Sequence, residues 1–299
     1  MARAEAQCLL LVPLVWLGQL VARLPQWGLL ALGSGLTWLA WPLLGRRRRI
    51  ARRNLEACFP ELDAGARRRL LSRNLRATLT GVLELLRAWY APVRHLKCLS
   101  TLEGGEYLLA ALAQGKGVLL LGGHYVQTEL AARLLSVQLQ HPVEVMARRN
   151  NHRCIEAVVD AARRRVFAGV TAKKDVRGLL RALNRGAVVA YLADQNFNDQ
   201  HAFVPFFGVQ AATLTTTPEL ARRGNAVVIP IFFHRRDDGG YHLRLTPAWD
   251  GWPSGDPVAD AARYMAELEA FVRQHPEQYL WVHRRFKTRP PGETEPFYR

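Results

Sequence analysis

One histidine and one glutamate stand out by their context. The segment GVLLLGGHYVQTELAARLL (117–135) reads as an apolar strand, a Gly122-Gly123 corner, His124, and then a helix that contains Glu129. Inside a single helix the spacing H-x-x-x-x-E would set the two side chains about 140° apart. They can therefore meet only if His124 precedes the helix and Glu129 lies in its first turns. The two glycines supply a permissive backbone for such a corner. In that arrangement His124 is a candidate general base, and Glu129 on its other ring nitrogen would fix tautomer and orientation. Backbone N–H groups at the helix start offer donors for a developing oxyanion. The same residues also fit a histidine capping a helix beside a surface glutamate, and the spacing alone does not separate the two.

Other candidates follow strands. Asp194 and Gln195 end the run AVVAYLADQN, at the strand end where α/β enzymes commonly place functional groups. In HRRFKTRP, His283, Arg284, Arg285, Lys287 and Arg289 form a basic cluster that reads either as an anion grip or as a solvated face. FVPFFG (203–208) suits an acyl groove or core packing. The other histidines show no metal-ligand spacing, and Cys8, Cys58, Cys98 and Cys154 are too scattered for a zinc or redox site. They read as reduced thiols, and no metal or cofactor is expected.

These groups need elements to hold them. Strand-like runs fall at 117–121, 142–146, 187–192, 226–233 and 241–246, with helical stretches near 125–138, 151–166, 175–185, 213–223 and 257–274. Such alternation predicts an α/β fold, a central sheet flanked by helices, in a single domain. Residues 50–90 add a helical region with a break at Pro60.

The N-terminus sets the environment. Residues 8–44 are almost continuously apolar, interrupted by Gln19, Arg23 and Gln26, and Arg46, Arg47, Arg48, Arg49, Arg52 and Arg53 follow directly. The order of charge after apolar segment disfavours a cleaved signal peptide. It predicts an anchor over 1–45, either crossing the bilayer or lying in its plane as a hairpin broken at Arg23-Leu24-Pro25, with residues 46–299 on the cytoplasmic side. The balance of 41 basic against 25 acidic residues, net +16, favours polyanionic partners. No zinc finger or RNP-type aromatic motif accompanies it, and the basic run adjoins an apolar segment, so nucleic acid is not the expected partner.

Four segments, RRRRIARRNLEACFPEL, GGHYVQTEL, LADQNFNDQHAFVPFFGVQAAT and PEQYLWVHRRFKTRP, spread over nearly the whole chain, resemble the late (secondary) acyltransferases of lipid A biosynthesis. The resemblance implies an H-x-x-x-x-(D/E) catalytic pair, carried onto His124 and Glu129, an acyl carrier protein as donor, and a phosphorylated glucosamine disaccharide bearing hydroxyacyl chains as acceptor. It favours a site role for Asp194 and Gln195 and suggests that Arg284, Arg285 and Arg289 grip acceptor phosphate. The family's aromatic–Arg–Pro run before two asparagines reads MARRNN here, so Arg148 and Asn151 fall only approximately on the family's positions. Its downstream arginine segment is loosely matched by Arg163, Arg164 and Arg165. The implied reaction is attack of an acceptor hydroxyl, deprotonated by His124, on the donor thioester, at the inner membrane and without an acyl-enzyme. A related enzyme acting on a lysophospholipid, glycolipid or aminoacyl lipid is the alternative.

Overall fold

The computed structural model describes residues 11–197 and 200–298. Cys8 and residues 8–10 of the apolar stretch lie outside the described residues. The sheet is built around β2 (Gly117–Gly122), whose six residues GVLLLG are all buried. A strand apolar on both faces belongs in the middle of a parallel sheet with helices on either side. Strands β8 (Ala226–Arg235), β5 (Val188–Leu192), β3 (Val143–Ala147) and β4 (Gly169–Ala172) run parallel with it, and β9 (Tyr241–Leu245) and β1 (Ser100–Glu103) extend one edge in the opposite sense. The order across the sheet is β1-β9-β8-β2-β5-β3-β4.

All five expected strands are present. The two short strands β1 and β4 were not expected, because STLE and GVTA are only partly buried and lack a hydrophobic run. Strands β6 (His201–Phe206) and β7 (Val209–Leu214) form a separate antiparallel hairpin through Phe207 and Gly208, whose φ values of 53° and 72° suit a two-residue hairpin turn. That hairpin takes residues expected to open a helix at 213; the helix α10 starts instead at Thr217 and ends at Arg223. Phe206 and Phe207 are core residues.

Helices α1 (Val12–Ala22), α2 (Gln26–Ala40), α3 (Gly45–Cys58) and α4 (Ala64–Tyr90) precede the sheet. Among the described residues no single helix is long and apolar enough to cross a membrane, and α2 and α3 meet at a bend of 105°. The 27-residue α4 starts where Asp63 accepts a hydrogen bond from Ala66 N at 2.7 Å, and its Leu70, Leu71 and Leu75 face the core. After it come α5 (Val93–Lys97), α6 (Gly105–Ala113), α7 (Thr128–Leu139), α8 (Arg153–Val166), α9 (Val176–Asn184) and, beyond α10, α11 (Pro257–Gln274). Cys58 and Cys98 are free thiols, as expected.

The segment after α11 matters most for the site. Residues 276–283 pass between the helices and the end of β2, and two buried asparagines hold them. Asn54 of α3 donates to the carbonyls of Trp281 and His283 at 2.7 and 2.9 Å, and Asn74 of α4 donates to those of Glu277 and Tyr279 at 2.8 and 2.7 Å. On the other side Val126 N donates to Gln278 O and Leu280 N to His124 O, an antiparallel pairing of the two stretches.

Candidate functional site

Parallel strands gather their carboxyl ends at one edge, and ligands in open α/β sheets bind outside that edge. Four strands deliver polar residues there: β2 leads to His124, β5 to Asp194 and Gln195, β3 to Arg148, and β4 to Lys173. The register pairs Gly122 with Leu192, so His124 and Asp194 each lie two residues beyond the last matched pair. The result is a tight contact: His124 Nδ1 lies 2.5 Å from Asp194 Oδ1, and His124 N donates to Oδ2 at 2.9 Å. Tyr279 adds its hydroxyl to Oδ2 at 2.7 Å.

Asp194 is completely buried. Burial by itself would raise its carboxyl, but the His124 ring and backbone N–H and the Tyr279 hydroxyl outweigh it and hold the group below the usual carboxylate range. An ionised Asp194 at Nδ1 favours the tautomer whose free lone pair is on Nε2. His124, with a quarter of its side chain exposed, borders a cavity of about 480 Å³. Arg148, Lys173 and Gln195 also line the cavity, together with apolar Met146, Leu192 and Phe197. Burial and the neighbouring Arg148 lower the Lys173 ammonium from its ordinary value. Among the described residues no three His, Cys, Asp or Glu side chains come together so as to hold a metal ion.

The corner differs in detail from the expectation. Gly123 is closely packed: a Cβ there would lie 2.5 Å from Leu268 Cδ1, so that side chain would have to shift. Three backbone donors ahead of the helix are occupied: His124 N binds Asp194, Tyr125 N binds Gly123 O and Val126 N binds Gln278 O.

Glu129 does lie in the first turn of α7, as the spacing requires, but it does not hold the histidine. Arg163 of α8 donates to its Oε1 and Trp89 of α4 donates to its Oε2 at 2.7 Å. The carboxylate on the ring of His124 is Asp194. Asn151 stands near Arg148, 3.5 Å from its guanidinium. The C-terminal arginines are elsewhere. Arg285 is 2 % exposed and ties down the β6–β7 hairpin through Ala212 O at 2.7 Å and Thr213 Oγ1 at 2.5 Å. Arg289 pairs with Glu293 and donates to Gln210 O. Arg284 stacks over Tyr298 and lines a different groove with Arg46 and Arg49. None of the three lines the His124 cavity. Lys173 was not anticipated, although it follows a strand as Arg148 does; the weak signal of β4 concealed it.

A histidine held by a buried aspartate at the carboxyl edge of a parallel sheet, beside a cavity with cationic and apolar walls, marks the chain as an α/β enzyme in type. Residues 7–288 match the family model described as bacterial lipid A biosynthesis acyltransferase, and the chain belongs to that family and is an acyltransferase. A protein named lipid A biosynthesis lauroyltransferase from Escherichia coli (strain K12) is 37 % identical over 286 residues, 93 % of each chain. One named lipid A biosynthesis palmitoleoyltransferase from the same organism is 35 % identical over 289 residues, 94 % of this chain and 93 % of that one. A lipid A biosynthesis acyltransferase from Haemophilus influenzae (strain ATCC 51907 / DSM 11121 / KW20 / Rd) is 35 % identical over 296 residues, 95 % and 94 % of the two chains.

Proposed function

We propose that the chain moves a fatty acyl group from the thioester of acyl carrier protein to the free hydroxyl of a hydroxyacyl chain on a phosphorylated lipid A precursor. It acts at the cytoplasmic face of the bacterial inner membrane, with residues 1–45 as the anchoring part and 46–299 as the acyltransferase part. The observation that carries the reading is the 2.5 Å contact of His124 Nδ1 with Asp194, which leaves Nε2 as the remaining nitrogen of a ring that lines the cavity. Nε2 takes the proton of the acceptor hydroxyl while its oxygen attacks the thioester carbonyl. The tetrahedral intermediate then expels the carrier thiolate, which recovers the proton from His124, leaving an ester and a free thiol. Asp194 keeps the ring oriented and favours the transient imidazolium.

Arg148 and Lys173 face the same cavity and are suited to developing oxyanion charge or a phosphate of either substrate. Gln195 and Asn151 contribute polar contacts around them. Glu129 acts on the site indirectly, by tying the first turn of α7 to Arg163 and Trp89. The net charge of +16 supports an acidic carrier as donor. Purified His124→Ala should lose about 10²–10⁴-fold in transfer from acyl carrier protein to a lipid A precursor, with an unchanged thermal melt. Near-wild-type turnover by the folded variant would remove His124 from the mechanism.

A further inference from the structure

Helices α1 and α2 have two unlike sides. Their buried positions, Gly18 and Ala22 in one and Leu29, Gly33 and Thr37 in the other, recur every four residues and so lie on one face of each helix. That face is pressed onto α4: Gly18 packs on Leu86, and a Cβ at Gly33 would stand 2.3 Å from Thr80 Oγ1. The opposite sides carry Trp16, Leu17, Leu20, Trp27, Trp38 and Leu39, each between 56 and 80 % exposed. An exposed apolar surface of this extent marks an interaction site.

Among the described residues neither helix is by itself long enough to cross a bilayer. The 15 residues of α2 span about 22 Å at about 1.5 Å per residue, against a hydrocarbon core of about 30 Å. The pair is also fastened to the catalytic part by polar groups. Gln26 Nε2 donates to Gly239 O at 2.7 Å and to Tyr241 Oη at 3.1 Å, while buried Arg87 donates to Leu24 O at 2.5 Å and to Gln26 Oε1. A crossing helix would have to abandon those contacts at its end and the Gly33–Thr80 packing along its length.

We propose that α1 and α2 lie in the plane of the membrane surface as an integral part of the acyltransferase fold, their exposed faces immersed in one leaflet of anionic phospholipid without crossing it. The inference rests on the membrane residence proposed above. Charge complementarity identifies the occupant. Arg46, Arg47, Arg49, Arg52 and Arg53 follow α2 directly. A cavity of about 900 Å³ beside α2 is lined by Leu30 and Ala31 of that helix and by Arg73 and Arg76 of α4, together with Asp237 and Glu277. Arg73 and Arg76 are exposed and stand in no ion pair among the described residues. Indole rings at the depth of the headgroups and arginines beside phosphates are the pattern of an interfacial helix.

The test uses the full chain with Arg23→Cys, placed in the exposed turn between α1 and α2, in inner-membrane vesicles of both orientations. Exposed Cys98 reports the side of the catalytic part. With a membrane-impermeant maleimide, Arg23→Cys and Cys98 should be modified in the same vesicle population. Modification of Arg23→Cys only where Cys98 is protected would place the turn across the bilayer and overturn the inference while leaving membrane residence intact. Failure of the wild-type chain to sediment with membranes would instead count against the membrane residence on which the inference rests, and so against both. As a second measure, Trp27→Glu with Trp38→Glu should weaken partition into vesicles of zwitterionic and anionic phospholipid by roughly tenfold or more. Both side chains are exposed, so the melt should hold; unchanged partition also overturns the inference.

Discussion

The carboxylate of Asp194 accepts two hydrogen bonds from His124 and one from Tyr279, with no exposure to solvent. The histidine was legible because a buried strand, two glycines and a helix frame it. Its partner was not, because the spacing to Glu129 drew attention to an acid close in sequence, while the acid that reaches the ring arrives from the neighbouring strand. Only the pairing of β2 with β5 brings position 194 to position 124, and register is not written in either strand alone. Arg285 illustrates the opposite failure: an arginine in a basic run looked like an anion grip and is a buried tie. Arg285→Met should therefore lower stability by about 1–3 kcal/mol by leaving Thr213 Oγ1 and Ala212 O without their donor. Arg148→Gln should raise KM for a phosphorylated substrate without changing the melt. Denaturant titration and steady-state kinetics on both variants check this, and the reverse assignment of the two effects would refute it.

His283 ends the segment that Asn54 and Asn74 hold beside the site. Burial pushes its imidazole down to about 4 from an ordinary 6.5, partly offset by the Asp194 charge. The folded chain thus binds that proton less readily than the unfolded chain. The stability this neutral ring provides is complete above pH 6.5 and is lost as the pH falls toward 4. His283→Gln should accordingly show a shallower loss of stability across that window, measured by urea unfolding at several pH values. An unchanged slope would show that the ring does not titrate as its burial requires.

At the scale of elements, the helical and strand periods of the sequence were enough for five strands and most helices, since each has a clear apolar run. The short strands β1 and β4 and the β6–β7 hairpin were not legible, because their pairing depends on partners remote in sequence. The segment 276–283 has little regular structure of its own and is shaped by Asn54 and Asn74 from two helices. Asn74→Ala would free the carbonyls of Glu277 and Tyr279, and the tyrosine hydroxyl would lose its fixed place on Asp194. The expected outcome is a stability loss of about 1–3 kcal/mol, together with a fall in kcat that exceeds any change in KM. Wild-type kinetics in the variant would mean that the segment keeps its course without this support.

At the scale of the whole molecule, the apolar start of the chain, its basic run and the sheet edge form one continuous structure, because α1 and α2 pack on α4 and α4 reaches Glu129 through Trp89. The sequence showed the apolar stretch and its break at Pro25, but not that Gln26 would fasten it to Tyr241 of β9 and Arg87 to α4. The central claim is that His124 and Asp194 work as one unit in acyl transfer. A double-mutant cycle of His124→Ala and Asp194→Asn tests it most directly, read as kcat/KM for transfer from acyl carrier protein to a lipid A precursor. The account predicts large losses in both single variants and a double variant scarcely worse than His124→Ala alone, since residues acting as a unit are non-additive. Additive losses, or a nearly unimpaired Asp194→Asn enzyme, would contradict it.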